Sequence, residues 1–358
     1  MKILVYPKDA NPYQSLLYTA MKKDNPKIKI RYIYNFPLLG SLPLLIIAPF
    51  MRILGFKLIH IHWPSFGMRL PSKINQAASY YIFLFTLKWL VLLRYRTVWT
   101  VHNVLPHESK TTNDLLCMQK LSFIADAKIV HSKLSLHQMD ELGLSTNNTF
   151  VIPHGNYIGV YNDEVSRRHA RAQLNHKEDE FVILFFGLIR PYKGLEALLD
   201  IIEANETYEQ TRLVVAGMCS DASLRNRLIK LRDESKINYF DGRVPDENVA
   251  MLFKACDVVC LPFKTITTSG SALLALSFGK PLIAPLLGTL TDLPRDVGFF
   301  YDPNDPNGLE NSIEIASSRT EDVSKISNNA YKYAKTLDWG TIGLQTNNLF
   351  LKVLGQKR

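Results

Sequence analysis

Short apolar runs alternate with helix-length stretches along almost the whole chain, in two separate series. The first has runs at 2–6, 28–34, 57–62, 97–102, 127–131 and 149–152, with helical stretches at 13–23, 74–94, 113–125 and 133–142 between them. The second has runs at 181–186, 211–216, 237–240, 257–261 and 282–284, separated by helical stretches at 195–203, 221–234, 246–254 and 270–278. Runs apolar on consecutive positions must be covered on both faces. That is the pattern of parallel strands joined by crossover helices. Two such series predict an α/β protein of two doubly wound parallel sheets, and 358 residues suit two domains. The polar stretch 156–179 reads as the linker. It separates a first domain over 1–155 from a second over 180–325, with C-terminal helices over 326–358 expected to pack back toward the first domain. Ligands of such sheets sit beyond the carboxyl ends of the strands, so the site is expected in a cleft between the two domains.

One strand end carries the clearest chemistry. Residues 184–194 read Leu-Phe-Phe-Gly-Leu-Ile-Arg-Pro-Tyr-Lys-Gly. An apolar strand runs into Gly187, then presents Arg190 and Lys193 just before Gly194 and the next helix. A glycine that lets the backbone approach, a helix end with free N–H groups and two cations make a place for a diphosphate. The spacing fits neither a P-loop nor a GxGxxG dinucleotide turn. A second helix-opening loop, Thr268-Ser269-Gly270-Ser271, follows the strand at 257–261 and offers hydroxyls and N–H groups to an anion or a polyol. Taken alone, the first loop also reads as surface charge and the second as a plain helix cap.

Charge is unevenly placed. Residues 1–150 hold 18 Lys/Arg against 7 Asp/Glu, and the remaining 208 hold 24 against 26. A basic first half points to an anionic partner, either nucleic acid or a membrane surface. Residues 36–56 are almost wholly apolar but carry Pro37, Pro43 and Pro49, which argues against a clean spanning helix. Residues 80–96 are apolar and aromatic with a basic end, as an interfacial helix would be; buried core is the alternative for both. Apolar surface beside basic charge favours an anionic membrane surface, and no stacking motif or zinc finger supports nucleic acid. Cys117, Cys219, Cys256 and Cys260 form no CxxC pair, so buried reduced thiols are expected. The chain opens on a short apolar strand rather than a signal peptide, which predicts a cytoplasmic location, peripheral to the inner face of the plasma membrane.

Strand ends in the first half carry histidines: His60 and His62 with Trp63, His102 with His107 and Glu108 further on, His131, and His154. On one sheet edge these can transfer protons or bind hydroxyls, or serve structure alone. There is no HExxH motif, and no metal site is expected. No Asp-x-Asp occurs anywhere in the chain. Arg190 and Lys193 would therefore supply the charge that such a pair supplies through a divalent ion in one class of nucleotide-sugar enzymes.

Two Rossmann-like domains, the strand–Gly187…Arg190…Lys193 loop and the Ser269-Gly270 helix opening together resemble glycosyltransferases of the two-domain GT-B type. More narrowly, Asn11-Pro12-Tyr13 with Leu17-Tyr18, His60-Ile61-His62-Trp63-Pro64, Thr100-Val101-His102-Asn103 with Pro106-His107-Glu108, the 186–194 loop, and Ser269-Gly270 with Leu274-Ala275-Leu276-Ser277 resemble β-mannosyltransferases. Those enzymes move mannose from GDP-mannose onto a polyprenyl-diphosphate-linked oligosaccharide. The resemblance implies a donor site in the second domain (Gly187, Arg190, Lys193, Thr268, Ser269, Gly270, Ser271) and an acceptor site in the first (Asn11, Tyr13, His62, Trp63, His131). It also implies action in exopolysaccharide or capsule biosynthesis with no cofactor beyond the nucleotide-sugar substrate. The larger retaining GT-B group places a glutamate five residues before the glycine of Gly279-Lys280-Pro281; here that position is Leu274. The departure favours an inverting outcome. For the base that deprotonates the acceptor hydroxyl, Glu108 is the first candidate, with His107 and His102 behind it. A retaining hexosyltransferase using a UDP-sugar, and a non-catalytic sugar- or lipid-binding protein that kept the fold, remain as alternatives.

Overall fold

A computed structural model describes residues 1–9, 11–34, 40–64, 73–103, 112–204, 210–266 and 268–356. The chain divides into two compact units: Met1–Gly155 with Asp338–Arg358, and Asn156–Leu337.

Unit 1 begins with β1 (Lys2–Lys8), α1 (Pro12–Asp24), β2 (Lys29–Tyr34), α2 (Leu42–Ile53), β3 (Leu58–Ile61) and α3 (Lys73–Leu92). It continues with β4 (Arg96–Val101), α4 (Thr112–Ile124), β5 (Ala127–Val130), α5 (Lys133–Glu141) and β6 (Thr149–Val151). The sheet order is β2-β1-β3-β4-β5-β6, and every pair is parallel. All four residues of β3 and of β5 are buried, as the unbroken apolar runs require. One face packs on α2, α3 and α4 through Leu44, Ala48, Phe83, Leu87, Met118 and Leu121. α2 keeps its helix despite its prolines because Pro43 occupies the first turn, where an N–H has no helical acceptor anyway; Pro49 alone lies inside it.

Unit 2 holds α6 (Arg167–Gln173), β7 (Phe181–Phe186), α7 (Leu195–Ala204), β8 (Thr211–Gly217), α8 (Ala222–Asp233), β9 (Ile237–Asp241) and α9 (Asp246–Ala255). It is completed by β10 (Val258–Cys260), α10 (Gly270–Ser277), β11 (Leu282–Pro285), β12 (Gly298–Tyr301), α11 (Gly308–Ser318) and α12 (Thr320–Thr336). Its sheet runs β12-β11-β10-β7-β8-β9, again all parallel. β12 is a strand beyond those the apolar runs predict. Its residues Gly298-Phe-Phe-Tyr end the sheet and are only part-buried apart from the glycine. All four cysteines are free thiols and buried.

The stretch expected as a linker differs from that reading. Residues 156–179 lie inside unit 2 and carry α6. Arg171 is fully buried there. Its guanidinium donates to the carbonyls of Ala255, Lys177, Glu178 and Glu180 and to Asp257 Oδ2 at 2.6 Å. A buried arginine of this kind makes a core segment look like a solvated one, because its charge is satisfied by carbonyls that no sequence pattern marks.

The final helix, α13 (Trp339–Gly355), returns to unit 1 and lies along α1. Together α1 and α13 cover the second face of the sheet, with Leu17, Tyr18, Ile342 and Phe350 in one cluster with Ile3, Val5 and Leu58. The two helices touch at Gly343, where a Cβ would stand 2.9 Å from the carbonyl carbon and Cβ of Ala20. Asn347 Nδ2 then donates to Met21 O at 2.9 Å and Asp24 Oδ2 at 2.7 Å. Gly343→Leu forces the helices apart and should destabilise unit 1 by about 1–3 kcal/mol. All four tryptophans (63, 89, 99 and 339) belong to unit 1. Thermal unfolding followed by tryptophan emission therefore checks this directly; an unchanged midpoint would contradict the packing described.

Candidate functional site

In each sheet the strand order reverses once, between β1 and β3 in unit 1 and between β7 and β10 in unit 2. Loops leaving the carboxyl ends of the two central strands diverge there and open a crevice. In unit 2 those loops are 187–194 and 261–269, the two that the sequence singles out.

Gly187 sits at φ +106°, and a Cβ on it would stand 3.0 Å from Lys193 Nζ and 3.1 Å from Ser271 Oγ. The ammonium and the hydroxyl thus converge on one small open volume that exists because residue 187 is glycine. The loop is held rigidly. Gly187 N donates to Ala216 O and Ile189 N to Met218 O, both at 2.9 Å, so the β7–β8 pairing continues past the strand end. At Gly217 a Cβ would lie 1.9 Å from Gly187 O, and at Gly194 (φ +70°) 1.9 Å from Pro262 O. Lys264 N donates to Tyr192 O at 2.8 Å, and the Tyr192 and Phe263 rings stack. The two loops of the crevice are therefore pinned to each other.

Lys193 is 7% exposed. Burial, with the Arg190 charge beside it, brings its ammonium down to about 8. Among the described residues no carboxylate pairs with it. Arg190 Nη1 donates to Ser220 Oγ at 2.7 Å, which fixes the guanidinium beside the β8 loop. Across the crevice Ser269 caps α10 through Ala272 N at 3.0 Å. The preceding N–H groups of Gly270 and Ser271 have no acceptor among the described residues, and the buried Thr268 Oγ1 has none either. Buried positive charge without a carboxylate, unpaired donors and a helix N-terminus around one opening favour an anion strongly. Of the seven donor-site residues expected from the sequence, five lie on these two loops, and Gly270 and Ser271 open α10 directly after the second. Gly217 and Ser220 were not among them; the only sequence signal for either is the glycine that ends β8, as Gly187 follows β7. A cavity of about 800 Å³ in unit 2 opens at the opposite ends of the strands beside Phe181, Thr211 and Asp257. It is a gap beneath the sheet and lies away from this chemistry.

Unit 1 resolves the histidines differently. His131 Nδ1 is 3.0 Å from Ile152 O, and a carbonyl only accepts, so Nδ1 carries the hydrogen. His131 Nε2 then accepts from His102 Nδ1 at 3.3 Å, and His102 Nε2 from His62 Nδ1 at 3.1 Å. His62 Nε2 accepts from the Tyr18 hydroxyl at 2.9 Å, whose oxygen accepts from His60 Nδ1 at 2.7 Å. His60 Nε2 accepts from the Thr100 hydroxyl at 2.7 Å. One carbonyl thus fixes the direction of six hydrogen bonds, with four neutral Nδ1–H imidazoles in series. Tyr13 packs in the centre, its ring 4.7 Å from His102 and 4.8 Å from His154.

This chain is a structural lock. A proton passed along it ends at a backbone carbonyl, and His102, His62 and His131 each have both ring nitrogens engaged. His102 is therefore not placed to act as a free base. Tyr13, His62 and His131 are buried, while Asn11 is exposed and Trp63, stacked on His102 at 4.0 Å, is half-buried. Of the acceptor residues expected, only these last two present surface. Asn11 Oδ1 also caps α1 through Tyr13 N at 2.9 Å. Glu108 and His107 lie outside the described residues. Among the described residues no group of His, Cys, Asp or Glu has metal-binding geometry.

Burial pushes His60 and His154 down to about 3 and His131 to about 4, and holds His62 and His102 well below their ordinary value. The unfolded chain therefore binds protons below pH 6.5 that the folded unit does not, and stability falls as pH drops from 6.5 toward 4. His60, His131 and His154 each remove roughly 1.4 kcal/mol per pH unit over that window, and His62 and His102 act in the same direction, so the loss reaches the order of a domain's stability by about pH 5. Tryptophan emission should shift to the red between pH 6.5 and 4.5, reversibly and ahead of the loss of helical circular dichroism from unit 2. Emission unchanged down to pH 4 would contradict the neutral lock.

Known proteins share this fold. Residues 166–333, within unit 2, match the family described as "Glycosyl transferases group 1". The GDP-mannose:glycolipid 4-beta-D-mannosyltransferase of Xanthomonas campestris pv. campestris is 24% identical over 84% of this chain and 81% of its own length. A D-inositol 3-phosphate glycosyltransferase of Corynebacterium glutamicum is 23% identical over 66% of this chain and 59% of that one. Among solved structures, Anabaena Alr3699/HepE in complex with UDP and glucose superposes with a TM-score of 0.76 at 20% identity, covering 98% of this chain and 100% of that one. A sucrose-phosphate synthase from Thermosynechococcus elongatus gives 0.77 at 19% identity over 99% and 98%. Residues 166–333 thus form a group 1 glycosyl transferase domain, and the chain as a whole has the GT-B fold.

Proposed function

We propose that the protein transfers mannose from GDP-mannose, with inversion, onto a polyprenyl-diphosphate-linked oligosaccharide at the inner surface of the plasma membrane, in exopolysaccharide or capsule biosynthesis. The observation that carries the donor half is the buried Lys193, with no carboxylate partner among the described residues, converging with Ser271 on the space that Gly187 leaves open. The sugar and the glycolipid acceptor rest on the activity named for the Xanthomonas relative and on the motifs shared with such enzymes.

In the reaction proposed, a base takes the proton of the acceptor hydroxyl as its oxygen bonds to the anomeric carbon. The bond from that carbon to the β-phosphate oxygen breaks, and GDP leaves with the electron pair. Arg190, Lys193 and the N–H groups of Gly270 and Ser271 meet the charge that develops on the leaving diphosphate, with the Thr268, Ser269 and Ser271 hydroxyls beside them. No metal is needed in this scheme, so turnover should survive a chelator. Glu108 is the base proposed, with His107 next. His102 ranks last, because both its nitrogens are spent in the lock. Trp63 offers a flat aromatic face to an acceptor sugar and Asn11 a polar one, while Tyr13, His62 and His131 hold that surface from beneath.

A second reading, a UDP-sugar donor, draws on the complexes of Anabaena Alr3699/HepE with UDP and with UDP-glucose. A donor panel assayed for transfer to lipid-linked acceptor separates the two readings, and transfer from no donor would favour a non-catalytic binding protein. Arg190→Ala and Lys193→Met should each lower kcat/KM by roughly 10–100-fold, the loss of one charge-assisted contact to the diphosphate. Glu108→Gln should lower kcat at least about 100-fold with little change in donor affinity. Full activity in both cation variants would remove the crevice as the donor site, and near-normal turnover in Glu108→Gln would remove that residue from the mechanism.

A further inference from the structure

No acidic residue occurs between Asp24 and Glu108, while Lys27, Lys29, Arg31, Arg52, Lys57, Arg69, Lys73, Lys88, Arg94 and Arg96 all fall there. Part of this charge gathers in one place. At the amino ends of β1 and β2 a groove of about 510 Å³ is lined by the cations Lys2, Lys22, Lys29 and Arg31 and by the apolar Met51, Leu54 and Phe56, with Lys2 Nζ donating to Leu54 O. No carboxylate lines it, and among the described residues none of the four cations is in an ion pair.

The apolar side of the groove continues onto an exposed apolar face. On α2, Ile46 and Phe50 are exposed, followed by Ile53 at 84% and Leu54 just past the helix end. On α3, which packs against α2, Tyr81, Phe85 and Leu92 are exposed at helical spacing, with Lys88 and Arg94 exposed beside them. Leu54 belongs both to the groove and to this face. Neither helix is long and apolar enough to cross a membrane. A face of aromatic and aliphatic side chains rimmed by cations is what a helix lying in a bilayer interface presents.

We infer that this groove seats the phosphate-bearing headgroup of an anionic glycerophospholipid while the α2–α3 face dips into the same leaflet. The inference rests on the membrane-surface reading above and deepens it by assigning the headgroup site. Clustered surface cations with no carboxylate among them attract an anion, and the adjoining apolar rim makes a wholly water-borne one the poorer fit. Nucleic acid would find no exposed aromatic platform inside the groove. The occupant that satisfies both sides is a lipid whose phosphate enters between Lys2, Lys22, Lys29 and Arg31 while its chains lie against Leu54, Ile53 and Phe50.

Flotation of the full chain with phosphatidylglycerol vesicles and with phosphatidylcholine vesicles at low salt tests this. A cation at an anionic surface contributes roughly a fivefold preference, so Lys22→Glu/Lys29→Glu/Arg31→Glu should lower partition onto phosphatidylglycerol at least about a hundredfold. The same variant should leave the weak binding to phosphatidylcholine unchanged. It spares Lys2, which packs over Phe56, and changes only exposed side chains, so its thermal midpoint should match the parent. Phe50→Gln/Ile53→Gln should lower binding to both vesicles. Wild-type binding by the triple variant, together with loss in the apolar variant, would overturn the headgroup site while leaving membrane association standing. Groove-dependent binding to an oligonucleotide without groove-dependent flotation would overturn it as well. Failure of the parent chain to float with either vesicle would overturn the membrane reading itself.

Discussion

Both sheets are parallel throughout, and that one constraint organises the molecule. Parallel strands buried on both faces leave no place for polar chemistry along their length. Every strand also delivers its carboxyl end to the same edge of its sheet, so the side chains proposed for transfer gather at that edge and concentrate where the strand order reverses. In unit 2 the reversal lies between β7 and β10, and the loops there carry Gly187, Arg190, Lys193 and the opening of α10. In unit 1 it lies between β1 and β3, with Asn11 and Tyr13 on one side and His62 and Trp63 on the other.

The two units use the same edge in opposite ways. Unit 1 satisfies its polar groups internally: Thr100, His60, Tyr18, His62, His102 and His131 bond one to the next and end on the Ile152 carbonyl. That network rigidifies the edge and leaves Trp63, stacked on His102, as its surface. Unit 2 leaves its groups unsatisfied. Among the described residues Lys193 is buried without a carboxylate, Thr268 Oγ1 without a partner, and the first N–H groups of α10 without acceptors. Unpaired buried donors are costly to the empty protein, and an anion in the crevice offsets that cost. The glycines at 187, 194 and 217 make the arrangement compact enough to work, since a side chain at any of them would collide with a backbone carbonyl, Lys193 or Ser271.

Much of this was legible in the residues because it follows from periodicity and local chemistry. Apolar runs such as Phe181–Phe186 and Leu58–Ile61 announce buried strands, and glycine followed by Arg190 and Lys193 announces an anion loop. Three features were not legible, each for a physical reason. Arg171 in the stretch 156–179 looks solvated, but its charge is absorbed by the carbonyls of Lys177, Glu178 and Glu180 just after it and by Ala255 O and Asp257 from a distant part of the chain. The histidines look like proton-transfer groups, and only three-dimensional pairing shows that both nitrogens of His62, His102 and His131 are already engaged. Ser220 holds Arg190 across 30 residues of sequence, a separation at which no local pattern operates.

The central claim is that protein cations in the unit 2 crevice hold the nucleoside diphosphate. Lys193 offers the most direct test, because burial brings its ammonium to about 8 in the empty protein, and a diphosphate beside it would raise that value again. Calorimetric titration with GDP at a pH just above 8, in buffers of different ionisation enthalpy, measures the protons exchanged on binding. The account predicts uptake of roughly half a proton, abolished in Lys193→Met. Binding with no proton uptake, or uptake unchanged in that variant, would contradict it.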